Sequence, residues 1–555
     1  MSYQPHLPLI VQSDRTILLE VHNPLFDDAR QEISAFAELI KSPEHIHTYK
    51  ITPLSLWNAA SSGLAAADCL QTLNNYSKFG IPPALTREIL DTFGRYGLVR
   101  IEKDEEGIAL VCDDVVTLTH LLSYPSLVEY VEGKKSDRVY RLKPFSRGLI
   151  KQELLKLGYP VQDLAGYTAG EACPIQLRSE TASGAAFRLR DYQRQAIQAF
   201  YADGSVQGGS GVLVLPCGAG KTCIGIGSMC EIQEATLILT TNTTSVRQWI
   251  REILDKTDLH PDLIAEYSSD AKKVKPVTVA TYQMLTYRGA SPEEYPHMQL
   301  FNERNWGLII YDEVHLLPAP VFKLTAGIQA KRRLGLTATL VREDGREGDV
   351  FSLVGPKKYD MPWKQLEQQG FLAQAHCQEI RLSMDALLRE AYAFSSPREK
   401  YRIAALNPRK LESVKRLLKE HEDDQVLIIG QYLSQLEELA RELNLPLITG
   451  KVKEQDREYL YNQFKTGTIK RLAVSKVANF AVDLPDANVA IQISGTFGSR
   501  QEEAQRLGRI LRPKAYDNTA YFYTLVTANT REQEFAQNRQ LFLVEQGYRY
   551  DIIDE

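Results

Sequence analysis

The chain has 555 residues, 44% of them hydrophobic and 24% charged, with a net charge of −5; it is too long for one core and too apolar for a disordered chain, and it lacks the global positive charge that announces nucleic acid, although a local basic face fits the same total. Its seven cysteines form no C-x-x-C pair, so neither a zinc ribbon nor a thioredoxin-type motif is suggested and a reducing compartment fits best. The opening MSYQPHLPLIVQSDRT has no signal-peptide pattern, and no apolar run nears the ~20 residues of a membrane span, so a cytoplasmic protein is expected.

In chain order, DRTILLEV (14–21) reads as a strand and DDARQEISAFAELI (27–40) as an amphipathic helix. Residues 54–100 alternate helical segments with Gly and Pro breaks, and the acidic EKDEE (102–106) precedes the strand-like GIALVCDD. Small helices followed by a hairpin predict a winged-helix-like accessory domain over 1–125. Residues 131–160 are locally basic, with Lys134, Lys135, Arg138, Arg141, Lys143, Arg147, Lys151 and Lys156. They read either as a solvated helix face or as a nucleic-acid contact. With the linker-like ETASGAA (180–186), they define a small module over 126–184.

From 187 onward short apolar runs recur, each followed by turn residues and a helical stretch. GVLVLP (211–216), ATLILT (235–240), VTVATY (277–282), GLIIYD (307–312) and RLGLTAT (333–339) form one set. QVLIIG (425–430), LPLIT (445–449), RLAVSK (471–476), VAIQIS (489–494) and AYFYTLV (520–526) form a second. Parallel strands buried on both faces look like this, and the spacing fits helical crossovers. The fold class is α/β: two successive parallel-sheet domains, over 185–355 and 356–555, behind an N-terminal α+β region.

The run GVLVLP-CGAGKT-CIGI reads strand, tight loop, helix. Its loop, Pro216, Cys217, Gly218, Ala219 and Gly220, lets backbone N–H groups approach phosphate oxygens. Lys221 can reach the β- and γ-phosphates, and the Thr222 hydroxyl can ligate Mg²⁺. Leu215 stands where the generic pattern has its first Gly. Roughly ninety residues later, NWGLIIYDEVHLLP ends a buried run in Asp312 and Glu313. The first acid can hold Mg²⁺ and the second can orient or deprotonate the attacking water. His315 next to them favours coupling to a neighbouring motif. Thr337 and Thr339 in LGLTATLVRED can bond the acid pair and relay the nucleotide state. In GSRQEEAQRLGRILRP, Arg506, Arg509 and Arg512 share one broad helix face. Arg506 and Arg509 are candidates for an arginine that reaches a γ-phosphate.

These stretches resemble the superfamily 2 helicases, and within them the XPB family of DNA repair and transcription helicases. LRDYQRQAI, PCGAGKT, VTVATYQML, DEVH, GLTATLVRED, GPKKYDMPWKQLEQQGFLA, SKVANFAVDLPDANVAIQIS, GSRQEEAQRLGRILRP and FLVEQGY carry the resemblance, over roughly 185–550. It implies two RecA-like domains with ATP and Mg²⁺ as cofactors, Gln193 reading adenine, and Arg190 packing on the base. It also implies Gln505, Arg506 and Arg509 as the last helicase motif. Arg342, Glu343 and Asp344 match a short motif linked to duplex opening. A thumb-like insertion is implied near 384–408, whose plain reading is a surface helical hairpin. The long charged tails of eukaryotic members are absent, which points to a prokaryotic member.

The implied activity is ATP-dependent DNA unwinding or translocation with 3′ to 5′ polarity, serving DNA repair. Thr243, Thr244 and Thr281 are candidates for the backbone grip. DNA, single-stranded or forked, is the expected partner, and the resemblance also admits a nuclease partner. Three other readings stay open. They are a duplex translocase that opens DNA only with partners, a DNA-binding scaffold with a vestigial ATPase, and an RNA helicase.

Overall fold

Leu9–Val11 (β1) and Thr16–Glu20 (β2) alternate buried with partly covered side chains, as strands with one packed face do. They pair antiparallel, and β2 pairs antiparallel with Ile46–Lys50 (β3). The computed structural model describes residues 3–43, 45–288, 295–329, 331–340, 345–475, 487–495, 503, 506–508, 510–511 and 518–555. These fall into two compact units. One comprises Met1–Glu38, Glu44–Leu215 and Gly220–Met361, and the other Leu39–Pro43, Pro216–Ala219 and Pro362–Glu555.

The helix expected over 27–40 ends at Ile33. The N–H groups of Phe36 and Ala37 turn back onto the Ile33 carbonyl, and the apolar Leu39 and Ile40 that prolong the helical period lie in a short strand, Glu38–Lys41, at the edge of the sheet formed by β1, β2 and β3. Three helices follow, Pro53–Ser61 (α1), Ala66–Tyr76 (α2) and Pro83–Arg95 (α3). The first is fixed by a reciprocal cap: Thr52 and Ser55 each donate a backbone N–H to the other's hydroxyl at 3.0 Å. After them comes the antiparallel hairpin Val99–Asp104 (β4) and Gly107–Cys112 (β5).

The basic stretch does not form one helix face. Its first half is a second hairpin, Val131–Ser136 (β6) and Val139–Leu142 (β7). Its second half is the helix Arg147–Lys156 (α4), followed by the strand Val161–Asp163 (β8). The sheet runs β6-β7-β5-β4-β8. This register sets Lys135 against Asp104 at 2.6 Å and Arg141 against Glu106. Arg147 and Lys151 are buried and close on the Asp163 carboxylate at 2.8 and 2.9 Å. Much of the basic charge is therefore spent inside the module.

The first parallel sheet holds Ser210–Val214 (β9), Thr236–Thr240 (β10), Ile264–Tyr267 (β11), Val277–Thr281 (β12), Leu308–Asp312 (β13), Arg332–Thr337 (β14) and Lys357–Asp360 (β15). Its order is β11-β12-β10-β13-β14-β9-β15, every pair parallel. Asp191–Tyr201 (α5), Lys221–Ile232 (α6) and Thr243–Lys256 (α7) are among its helices. The five apolar runs read from the sequence are its five central strands. The core holds Val212, Leu237, Leu239, Ile309, Tyr311 and Val314.

The second sheet holds Gln374–Leu382 (β16), Val426–Gly430 (β17), Leu447–Ile448 (β18), Arg471–Ser475 (β19), Val489–Gln492 (β20), Thr519–Thr527 (β21) and Tyr550–Asp554 (β22). It runs β18-β19-β17-β20-β21-β16-β22, again all parallel. Residues 384–408 contain the helices Ala386–Phe394 (α8) and Pro397–Ala405 (α9), and α8 has no buried residue. Arg409–Glu420 (α10) and Arg531–Glu545 (α11) are two further helices of this unit. Among the described residues no helix is long and apolar enough to cross a membrane.

Candidate nucleotide site

Register decides what meets at the carboxyl end of the first sheet. Across β14, Val214 pairs with Thr337 on one side and Asp312 pairs with Leu336 on the other. The phosphate-type loop, the acid pair and the Thr337 motif therefore leave three adjacent parallel strands at the same edge, where open α/β sheets bind ligands.

The loop needs its glycines. Gly218 and Gly220 have φ of +82° and +77°, a region costly for residues with a Cβ. A Cβ on Gly220 would lie 2.5 Å from Gln193 Nε2, so Gln193 of α5 packs directly on the loop. Its Oε1 accepts the Arg190 backbone N–H at 2.9 Å, and the Arg190 guanidinium donates to the Tyr192 hydroxyl at 3.1 Å. Lys221 and Thr222 open α6, whose dipole favours an anion at this end.

Asp312 closes β13, and Glu313 follows in the left-handed region at φ +50°. That turn redirects the chain and brings Glu313 Oε1 to 3.8 Å from Lys221 Nζ. Glu313 Oε2 has no hydrogen-bond partner among the described residues. Asp312 is held from three sides: Trp249 Nε1 donates to Oδ2 at 2.9 Å, the Glu313 N–H donates to Oδ1 at 3.1 Å, and the Tyr282 hydroxyl donates to the backbone carbonyl at 2.9 Å. Burial, and then the adjacent Glu313 carboxylate, push the Asp312 carboxyl up to about 6, against the Trp249 bond and Lys221.

His315 is buried and its Nδ1 lies 2.7 Å from Thr337 Oγ1. The Thr337 hydroxyl donates to the Thr339 carbonyl at 2.5 Å, so Nδ1 carries the proton and donates to Thr337. The Thr339 N–H donates back to Thr337 Oγ1 at 3.0 Å. One chain of bonds thus runs from the acid turn to the end of β14.

The remaining candidates are placed as follows. Thr243 opens α7 behind its cap Asn242, and Thr281 is buried with its hydroxyl accepting the Met284 N–H at 3.2 Å. Arg506, in the second unit, is buried and donates to the Gln492 side chain at the end of β20. Arg342, Glu343, Asp344, Gln505, Arg509 and Arg512 lie outside the described residues. Trp249 and Tyr282 were not singled out from the sequence. Trp249 falls with Val246 and Ile253 on the apolar stripe of α7, which reads as core, and nothing local reveals where its N–H points.

The oxygen donors suit a divalent cation. Mg²⁺ prefers one or two carboxylates together with phosphate oxygens, and a buried carboxyl beside a second acid is what such an ion relieves. Among the described residues there is no group of three or more His, Cys, Asp or Glu side chains able to hold a metal alone.

A phosphate loop, an acid pair and a threonine relay on one of two parallel sheets define a superfamily 2 helicase core. Residues 366–555 match the model of the ERCC3/RAD25/XPB C-terminal helicase, 186–342 match that of the type III restriction enzyme res subunit, and 9–133 match one described as a helicase conserved C-terminal domain. The chain is 51% identical over 548 residues to the DNA 3′-5′ helicase XPB of Mycobacterium tuberculosis, covering 99% of this chain and 98% of that one. It is 33% identical to the XPB helicase/translocase subunit of general transcription and DNA repair factor IIH from Enterocytozoon bieneusi, covering 98% and 92%. Among solved structures it resembles the type ISP restriction-modification enzyme LlaBIII bound to DNA, with a TM-score of 0.50, 14% identity, and 66% of this chain and 31% of that one covered, a likeness of fold alone. The chain belongs to the XPB family of helicases, and its nearer relationship is to the bacterial branch.

Proposed function

We propose that the chain binds ATP with Mg²⁺ at the loop ending in Lys221 and uses its hydrolysis to move along and open DNA with 3′ to 5′ polarity, in DNA repair. The observation that carries this is the convergence of Lys221 with Glu313 at 3.8 Å, beside Asp312, at one edge of the first sheet. Thr222 and Asp312 hold the magnesium, which when bound neutralises charge on the β- and γ-phosphates. Lys221 orients the γ-phosphate, and Glu313 takes or directs the proton of the attacking water. Gln193 and Arg190 recognise the base. Arg506 and Arg509, with Gln505, complete the charge stabilisation. His315, Thr337 and Thr339 couple the acid turn to the DNA-facing segments, in which Thr243, Thr281 and the Arg342-Glu343-Asp344 motif take part. The names of the bacterial and eukaryotic relatives, a DNA 3′-5′ helicase and a DNA repair factor subunit, support the choice of DNA, polarity and process. A nuclease partner belongs to the same proposal, supported by the family resemblance.

The test is steady-state ATP hydrolysis without nucleic acid and with single-stranded DNA, duplex DNA or RNA, beside Lys221→Ala. Hydrolysis stimulated by DNA and lost in the variant is expected, followed by strand displacement from a 3′ tail. Stimulation by RNA alone, or turnover indifferent to every nucleic acid, would overturn the reading.

A further inference from the structure

We propose that Trp249 is a positioning residue of the nucleotide site: its indole N–H fixes the Asp312 carboxylate, and its ring sets the distance between that carboxylate and the phosphate-loop helix. The inference rests on the reading of Asp312 as a magnesium holder.

Trp249 is 2% exposed and lies in the middle of α7. Two other buried tryptophans, Trp57 and Trp306, donate their indole N–H to backbone carbonyls, of Thr92 at 3.1 Å and Leu300 at 2.9 Å. Trp249 instead donates to a buried carboxylate, Asp312 Oδ2 at 2.9 Å. An indole can only donate, and an ionised carboxylate has about four lone-pair sites. Trp249 takes one on Oδ2 and the Glu313 N–H takes one on Oδ1. The carboxylate is thereby stopped from rotating, while each oxygen keeps capacity for a further bond.

The other end of the ring does a second job. A Cβ on Gly225 would lie 2.5 Å from Trp249 Cη2 and 3.4 Å from Leu336 Cδ1. Gly225 is one turn past Lys221 on α6, so only glycine lets the ring close against that helix. One rigid side chain therefore spans the helix that carries Lys221 and Thr222 and the strand that ends in Asp312. Groups that orient a metal ligand typically change metal affinity about 10–100-fold when removed.

The test uses the full chain and a fluorescent ADP analogue, with its Kd measured with and without Mg²⁺. In Trp249→Phe, which removes both the donor and the ring edge that meets Gly225, the Mg²⁺-dependent tightening should shrink about tenfold, with a smaller loss of Mg²⁺-free affinity. Equal weakening with and without Mg²⁺ would reduce Trp249 to packing and overturn the proposal, as would an unchanged tightening. Asp312→Ala separates the two levels of the argument: full tightening in that variant would sink the reading of Asp312 itself. A second measurement needs no substitution at 249. In 5-fluorotryptophan-labelled protein, the Trp249 fluorine resonance, assigned by elimination with Trp57→Phe, Trp306→Phe and Trp363→Phe, should move when Mg²⁺ joins bound ADP. A resonance that stays still would overturn the proposal.

Discussion

Numbered in chain order, the strands of the first sheet stand in the order 3-4-2-5-6-1-7, and so do those of the second. The topology is the same and the chemistry is not. Strand five ends in Asp312 in the first sheet and in Gln492 in the second. The acid is held by an indole and faces a lysine, whereas the amide accepts from the buried Arg506. Strand one of the first sheet leads into Gly218 and Gly220. Its counterpart leads into Ser383 and Asp385, which caps the exposed helix α8. Topology thus supplies equivalent strand ends, and the residues standing there decide whether a nucleotide can be cradled. Buried charge follows a different logic in the second unit. Lys410 meets Glu532 at 2.6 Å, both nearly inaccessible, and donates to the Ile493 carbonyl just past strand five. That pair braces the sheet.

The comparison breaks most visibly at the lysines. Lys221→Ala should take ATP hydrolysis to background, a loss of at least ~100-fold for one preorganised charge contact, while thermal unfolding stays near wild type. Retained turnover would end the assignment of the first sheet. Lys410→Met should do the reverse in kind. It leaves Glu532 buried without its cation and costs about 3–5 kcal/mol, read as a lowered melting temperature of the second unit. Lys410→Met/Glu532→Leu should recover most of the loss. A double variant as unstable as the single would mean that the pair does more than neutralise itself.

Asp312 gives the next effect, and its sign is opposite. The folded chain keeps a proton on this carboxyl up to about 6, whereas an exposed aspartate releases it near 3.8. Between those values the folded state binds more protons, so stability falls as pH rises and stays reduced above about 6. Asp312→Asn has no such charge. It should be more stable than wild type at pH 8, by on the order of 3 kcal/mol, with the gap closing below pH 4 and hydrolysis lost. A gap independent of pH would show that the cost of the site lies in its geometry.

Strand legibility followed burial. Val212 to Leu215 or Leu237 to Leu239 are covered on both faces, and an unbroken apolar run is the trace that such burial leaves. Ile264–Tyr267 and Lys357–Asp360, the two outer strands of the first sheet, carry Glu266, Lys357, Lys358 and Asp360 and left no such trace. In the second sheet, Gln374–Leu382 hides Glu379, which bonds Arg381 and Gln540, so a core strand reads as polar. The candidates Lys221, Asp312 and Glu313 were legible because each motif is written within a few contiguous residues. Trp249 was not, because its meaning is a direction, toward a carboxylate 63 positions along the chain.

The smallest effect compares two glycines of nearly equal backbone. Gly220 has φ +77° and Gly467 has φ +74°. A methyl group on either strains a left-handed residue by about 1–2 kcal/mol. The surroundings differ: Gly467 has nothing within 4 Å of the added carbon, whereas Gly220 has Gln193 Nε2 at 2.5 Å. Gly467→Ala should therefore lower stability slightly and leave ATP kinetics untouched. Gly220→Ala should also displace the Gln193 amide and raise KM for ATP roughly fivefold, an effect near 1 kcal/mol. The amide is the end of a flexible side chain, so it yields and the loss stays small. Gln193→Ala isolates the same contact: if displacement of the amide is the cause, Gln193→Ala/Gly220→Ala should be no worse than the sum of the two and better than additive in KM. Strict additivity would mean that the loop senses only its own strain, and that Gln193 packs beside the phosphate site without shaping it.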